Sequence, residues 1–105
     1  NVNADMFAGH LAAAMRADLF VALTDVDGLR RDPEDPASVI RRADHAEIRS
    51  LMGTSIRGGM IPKIEACLVA LEGGVKTARI VDGTQEGSLP AAVAGDPDRG
   101  TEITP

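Results

Sequence analysis

Apolar positions recur along the chain with two distinct periods. Phe7, Leu11, Ala14 and Met15 follow helical spacing behind Asn3, a side chain suited to an N-cap, so a helix is predicted from Asn3 to about Arg16. Asp5 falls in its first turn, where a carboxylate favours the helix dipole. The alanines at 8, 12, 13 and 14 suit close packing on a sheet. The period then changes. Leu19-Phe20-Val21-Ala22-Leu23 is an unbroken apolar run of strand length, which predicts a central parallel strand buried on both faces.

Residues 30 to 38 carry two prolines among charged residues and predict an exposed loop, with Val39-Ile40 a short edge strand after it. Asp44 and Glu47 have capping-box spacing and open a helix bearing Ile48, Leu51 and Met52, which Gly53 stops. Ile61, Ile64, Leu68 and Leu71 predict a third helix, running to the Gly73-Gly74 pair with Pro62 in its first turn. Thr77 to Val81 reads as a strand ending at Asp82-Gly83. A weaker helix over 86–93, a turn over 95–100 and a last strand over 101–104 complete the chain. This order predicts an α/β layer sandwich, with ligands gathering beyond the carboxyl ends of the strands, where Asp25 and Asp82 fall.

Composition narrows the function classes. The 105 residues, 44% hydrophobic and 26% charged, suit one ordinary globular domain. A formal charge of −5 and only two aromatic residues argue against a nucleic-acid partner. The lone Cys67 lies on an apolar helix face as a buried thiol, which suits a reducing compartment. No apolar run approaches about 18 residues and no signal peptide is visible, so the reading is cytoplasmic, with no membrane. The chain opens on Asn1 without a lead-in and reads as the C-terminal part of a longer enzyme.

Lys63 carries the candidate chemistry. In a first helical turn a lysine opposes the dipole, whereas a phosphate meeting it there reverses the sign. Gly58 and Gly59 would leave the backbone N–H groups open to an anion. The alternatives are a solvated lysine and a plain glycine loop, and neither a Walker loop nor a dinucleotide fingerprint is present. Asn1, Asn3 and Asp5 alternate ahead of the first helix, either as cap and dipole partner or as a polar set. Such a set could hold a carboxylate or phosphate, with an acid keeping two cations in register, as phosphoryl transfer requires. Asp25-Val26-Asp27-Gly28 lacks the remaining ligands of a calcium loop. His10 and His45 read as surface residues, and no serine has a triad partner.

The blocks Asn1-Val2-Asn3-Ala4-Asp5, Leu23-Thr24-Asp25-Val26-Asp27-Gly28-Leu29, Gly58-Gly59-Met60-Ile61-Pro62-Lys63 and Gly100-Thr101 together resemble the amino-acid kinase family. Within it they are most similar to the branch acting on N-acetyl-L-glutamate. The resemblance implies a three-layer sandwich with a mainly parallel sheet, the carbamate kinase-like fold, of which residues 1–105 are the C-terminal ATP-binding lobe. It implies transfer of the ATP γ-phosphate to a side-chain carboxylate, with Asp5 and Lys63 catalytic and Asn1 and Asn3 beside the substrate. The implied nucleotide-binding residues are Thr24, Asp25, Val26, Asp27, Gly28, Leu29, Ser55, Ile56, Arg57, Gly59 and Met60. Mg2+ would ride on the phosphates with no dedicated metal site, and the full-length enzyme would be a homo-oligomer. The family's second lysine and substrate lobe are absent from this chain, which implies no turnover by the chain alone. Pro97 interrupts the acidic stretch of arginine-sensitive members, so feedback inhibition is not implied. Two other readings stand beside this one: a kinase for carrier-bound aminoadipate or glutamate, and a nucleotide-binding module without chemistry.

Overall fold

The structure is a computed structural model that describes residues 4–105. Helix α1 (Ala4–Ala14) leads into strand β1 (Leu19–Thr24). A loop with one 3-10 turn (Pro36–Ser38) connects to β2 (Arg42–Asp44), α2 (His45–Leu51) and α3 (Met60–Glu72). Strand β3 (Thr77–Asp82), helix α4 (Ser88–Ala94) and strand β4 (Thr101–Thr104) complete the chain. The sheet order is β1-β3-β4-β2. β1 runs parallel to β3 and β2 parallel to β4, while β3 and β4 are antiparallel, so the sheet is mixed.

Strand alternation sorts the layers. Ala22, Ala78, Ile80 and Ile103 share one core with Ile64, Cys67, Leu68 and Leu71 of α3. The opposite face of β3 carries Arg79, which lines a cavity with Ala92 and Val93 of α4. Helices therefore cover both faces, as the three-layer expectation requires. Ile48 of α2 joins the α3 side of the core.

Two expectations about burial are corrected. β1 is the outer strand among the described residues rather than a central one, and Leu23 is 49% exposed. The strand buried on both faces is β3, where Ala78 to Asp82 are all buried. On α1, Phe7, Leu11 and Met15 are 59, 46 and 72% exposed, so that stripe is not the packed one. The packed face is made of small residues instead. A Cβ on Gly9 would lie 2.5 Å from the Ala66 carbonyl oxygen, and one on Gly73 would lie 2.3 Å from Ala13 Cβ. Helix spacing alone does not distinguish an apolar stripe from a glycine-alanine stripe that brings backbones together.

Element ends mostly follow their caps. The Asp44 carboxylate accepts from Glu47 N–H at 2.8 Å, as the capping-box spacing predicts. Helix α1 stops two residues short of the predicted end, because Arg16 adopts φ 54 and the Ala17 N–H reaches back to Ala12 O. Val39 makes only an isolated bridge to Arg30, and the edge strand forms at Arg42–Asp44 instead. His45 is not a free surface residue: with Arg49 it engages Glu72, and these two hydrogen bonds hold the Glu72 carboxyl below the usual carboxylate range.

Burial dominates the state of Cys67, pushing its thiol up to about 12, with the Asp5 charge adding to the rise. A thiol that stays protonated in the folded state stabilises the fold up to the ordinary thiol pKa. That contribution is then lost as pH rises towards about 12. An alkylating reagent at pH 8 should leave native Cys67 unmodified and label it fully in denaturant, as read by mass spectrometry. Gly9→Ala should lower stability by about 1–3 kcal/mol, a fall in Tm of at least ~4 °C. Gly59→Ala, whose added Cβ meets nothing within 4 Å, should change Tm far less.

Candidate active site

The small-residue contact sets the register of two helices. Gly9 lies on Ala66 and Ala13 on Gly73, so α1 and α3 run parallel with their N-termini at the same end. Each leads into one of the parallel strands β1 and β3, so both N-termini lie at the carboxyl edge of that pair. Asp5 stands one turn before Gly9, and Lys63 stands nearly one turn before Ala66. Both act on the same sulfur: after burial, Asp5 raises the Cys67 thiol pKa and Lys63 lowers it. Asp5 and Lys63 therefore lie towards the same end of the α1–α3 seam, each within electrostatic reach of Cys67.

Lys63 is half-buried in the first turn of α3, a turn with no acidic residue. Gly59 caps the helix without a side-chain hydrogen bond. Added Cβ atoms at Gly58 and Gly59 would meet nothing within 4 Å, so the space before the helix is open. Only Gly58, at φ 59, needs glycine for its conformation. The expected open N–H groups are not found in this turn: Met60 N–H donates to Arg57 O at 3.3 Å and Ile61 N–H to Gly58 O at 3.1 Å, and Pro62, the third helical residue, has none.

Beside this helix end lies a pocket of about 120 Å³. Val26, Gly28 and Leu29 reach it from the loop after β1, and Ser55, Arg57 and Met60 from the segment entering α3. These six sequence-predicted residues are brought together. Two further lining residues, Arg30 and Pro33, come from the stretch read as an exposed loop. The Arg30 guanidinium donates to Pro33 O at 3.2 Å, which curls that stretch back over the pocket. The Ser55 hydroxyl donates to Arg31 O at 2.5 Å and ties the two walls.

The other predicted nucleotide residues do not line the pocket. Ile56 is wholly buried in the core. Thr24 and Asp25 lie at the strand end, where the Thr24 hydroxyl faces the exposed Asp25 at 3.5 Å. Gly59 is the helix cap. Both Asp27 oxygens are engaged within the protein: Oδ2 accepts from Arg41 Nη2 at 2.9 Å and Oδ1 from Gly100 N–H at 3.2 Å. Burial is the largest single influence on Asp27 and pushes its pKa up. The Arg41 hydrogen bond, the Gly100 N–H and the Arg41 and Arg99 charges together outweigh it and hold the carboxyl below the usual range. Asn1 and Asn3 lie outside the described residues.

At the other strand end, Asp82 accepts from Thr84 N–H at 2.8 Å and from the Thr84 hydroxyl at 2.5 Å. Its carboxylate closes a turn. Among the described residues no group of three or more His, Cys, Asp or Glu side chains could hold a metal ion, and no helix is long and apolar enough to cross a membrane.

The chain is similar to proteins of known family and fold. The family model described as "Amino acid kinase family" matches residues 1–82. The acetylglutamate kinase of Symbiobacterium thermophilum is 45% identical over 104 residues, covering 98% of this chain and 36% of that protein. The chloroplastic acetylglutamate kinase of Arabidopsis thaliana is 43% identical over 105 residues, covering 99% and 30%. The chain thus spans about a third of the length of the curated relatives it matches. Among solved structures, N-acetylglutamate synthase from Neisseria gonorrhoeae, complexed with coenzyme A and L-arginine, superposes with TM-score 0.84 at 28% identity over 99% of this chain and 24% of that one. Carbamate kinase from Giardia lamblia bound to AMP-PNP gives 0.78 at 25% identity over 97% and 32%. Since the family model matches residues 1–82, well over half of this chain's length, the chain belongs to the amino acid kinase family.

Proposed function

We propose that this chain is the nucleotide-binding part of an acetylglutamate kinase, which transfers the γ-phosphate of ATP to the side-chain carboxylate of N-acetyl-L-glutamate. The product is N-acetylglutamyl 5-phosphate, an acyl phosphate on the route to arginine. What supports this reading is that Asp5 and Lys63 fall in the first turns of two parallel helices, at the carboxyl edge of β1 and β3, in a chain 45% identical to such a kinase along 98% of its length. The structural likeness to a carbamate kinase bound to AMP-PNP supports ATP as the donor.

Phosphoryl transfer asks a protein for position and charge rather than for covalent chemistry. A carboxylate oxygen of the acceptor attacks the γ-phosphorus while the bond to the β–γ bridging oxygen breaks, releasing ADP without a net proton transfer. Negative charge spreads over the moving phosphoryl oxygens. The Lys63 ammonium, in the first turn of α3, faces that charge. Asp5 keeps the amine aimed across the helix seam without itself attacking. The pocket, at about 120 Å³, is far smaller than a whole nucleotide needs, so it receives one part of it. Val26 and Met60 offer apolar surface to the base, with the buried Leu29 behind them, and Met60 shares its turn with Lys63, where the phosphates then lie. Mg2+ enters on the phosphates. Asn1 and Asn3 are assigned to acceptor binding by family resemblance, and the enzyme works in the cytoplasm as a homo-oligomer.

In a polypeptide carrying the remaining two-thirds of such a kinase, Lys63→Met should lower kcat by about 10²–10³-fold with a small change in the KM for ATP. Asp5→Asn should act in the same direction. Equal kcat values in parent and Lys63→Met overturn the assignment. The 105-residue chain alone should release no ADP above background in a coupled assay, and ordinary kinase rates from it contradict the reading of a partial site. Activity on carrier-bound aminoadipate or glutamate in place of the free acceptor would move the enzyme to that neighbouring specificity.

A further inference from the structure

We propose that Thr101 is a positioning residue for the nucleotide pocket, acting from the last strand through Leu29. This inference rests on the nucleotide reading of the pocket above. Thr101 opens β4 and is wholly buried, with 0% of its surface exposed. Its hydroxyl accepts from Leu29 N–H at 2.9 Å and donates to Ile40 O at 2.5 Å, so one group holds both sides of the long connection between β1 and β2. Ile40 N–H in turn reaches Leu29 O at 2.7 Å. The hydroxyl is thus the third member of a closed set of hydrogen bonds around Leu29, a residue that itself lines the pocket.

The neighbouring contacts press the same loop onto the same spot. A Cβ on Gly28 would come within 2.7 Å of Thr101 Oγ1 and 2.9 Å of the Gly100 carbonyl carbon, and Gly28 sits at φ 124, so the loop approaches β4 as closely as a backbone can. Gly100, at φ 67, is itself against Ile80 O, where a Cβ would lie only 2.2 Å away. Its N–H holds Asp27 Oδ1, and Arg41 holds Asp27 Oδ2. The position of Gly100 and Thr101 is set from below by Arg79. This guanidinium is buried on β3, 2% exposed, and donates to Asp96 O at 2.6 Å and Arg99 O at 2.9 Å in the turn before β4. A pocket wall is therefore fixed by a residue 72 positions away that touches no ligand.

The side chain this arrangement needs is one that donates and accepts from a single buried atom. Serine meets that need; valine has the same shape and strands both the Leu29 N–H and the Ile40 carbonyl. Thr101→Val and Thr101→Ser should be compared with the parent chain by thermal unfolding, by amide hydrogen exchange at Leu29, and by calorimetric titration with MgADP. In Thr101→Val, Leu29 exchange should accelerate and MgADP affinity should fall by about tenfold, with Thr101→Ser restoring both to within about twofold of the parent. Unchanged Leu29 exchange, or unchanged MgADP affinity, in a folded Thr101→Val overturns this role while leaving the pocket assignment intact. No MgADP binding by the parent chain overturns the pocket assignment, whatever Leu29 does. If Thr101→Val fails to fold, Asp27→Asn weakens the more exposed half of the same tie. A fall in MgADP affinity then supports the role and an unchanged affinity overturns it.

Discussion

The missing Cβ of Gly9 is the constraint on which the candidate site rests. With 2.5 Å between that absent atom and the Ala66 carbonyl oxygen, α1 has only one depth and one register on α3. Interiors are packed densely enough that even one methyl group is felt. The consequence reaches the proposed chemistry, because the register of the seam decides which residues of α1 lie level with the first turn of α3. A shift by one residue would turn Asp5 by about 100° relative to α3. The exposed Phe7, Leu11 and Met15 show that apolar area does not set this register; shape does.

The pocket depends on a second constraint of the same kind, at the opposite end in sequence. Gly28, Gly100 and Thr101 meet where the loop leaving β1 crosses the start of β4. Each glycine occupies a left-handed or open conformation in which a side chain would strike backbone or the Thr101 hydroxyl. The acidic chain also places its cations structurally. Arg41 and Arg79 are engaged with carboxylates and carbonyls that hold loops in place. Arg79 Nε is buried without a hydrogen-bond partner among the described residues, a local cost offset by the two carbonyls and the carboxylate that the same guanidinium engages.

Asp27 combines a place in the loop after β1 with a carboxylate that is already engaged. Its place in the loop after β1 suggests contact with a nucleotide, yet both carboxylate oxygens are occupied within the protein. Its depressed pKa has the same origin: the partners that hold the carboxylate also keep it ionised. The ion pair is partly exposed, so its contribution is to geometry more than to stability.

What the sequence by itself determined were most of the elements and their order, the Asp44 cap, the Cys67 burial and the motif blocks that identify the family, because these depend on neighbours along the chain. The side of β1 that stays open, the packing face of α1 and the antiparallel turn between β3 and β4 were decided only in three dimensions. So were the curling of Arg30 and Pro33 over the pocket and the roles of Thr101 and Arg79. A buried arginine inside the strand Thr77–Asp82 was a visible signal, since a charge amid apolar positions demands partners, but the sequence does not name them. The physical reason is common to all these cases. Periodicity records which positions are apolar, whereas the closest approaches are made by glycines, hydroxyls and carbonyls whose partners lie far away along the chain.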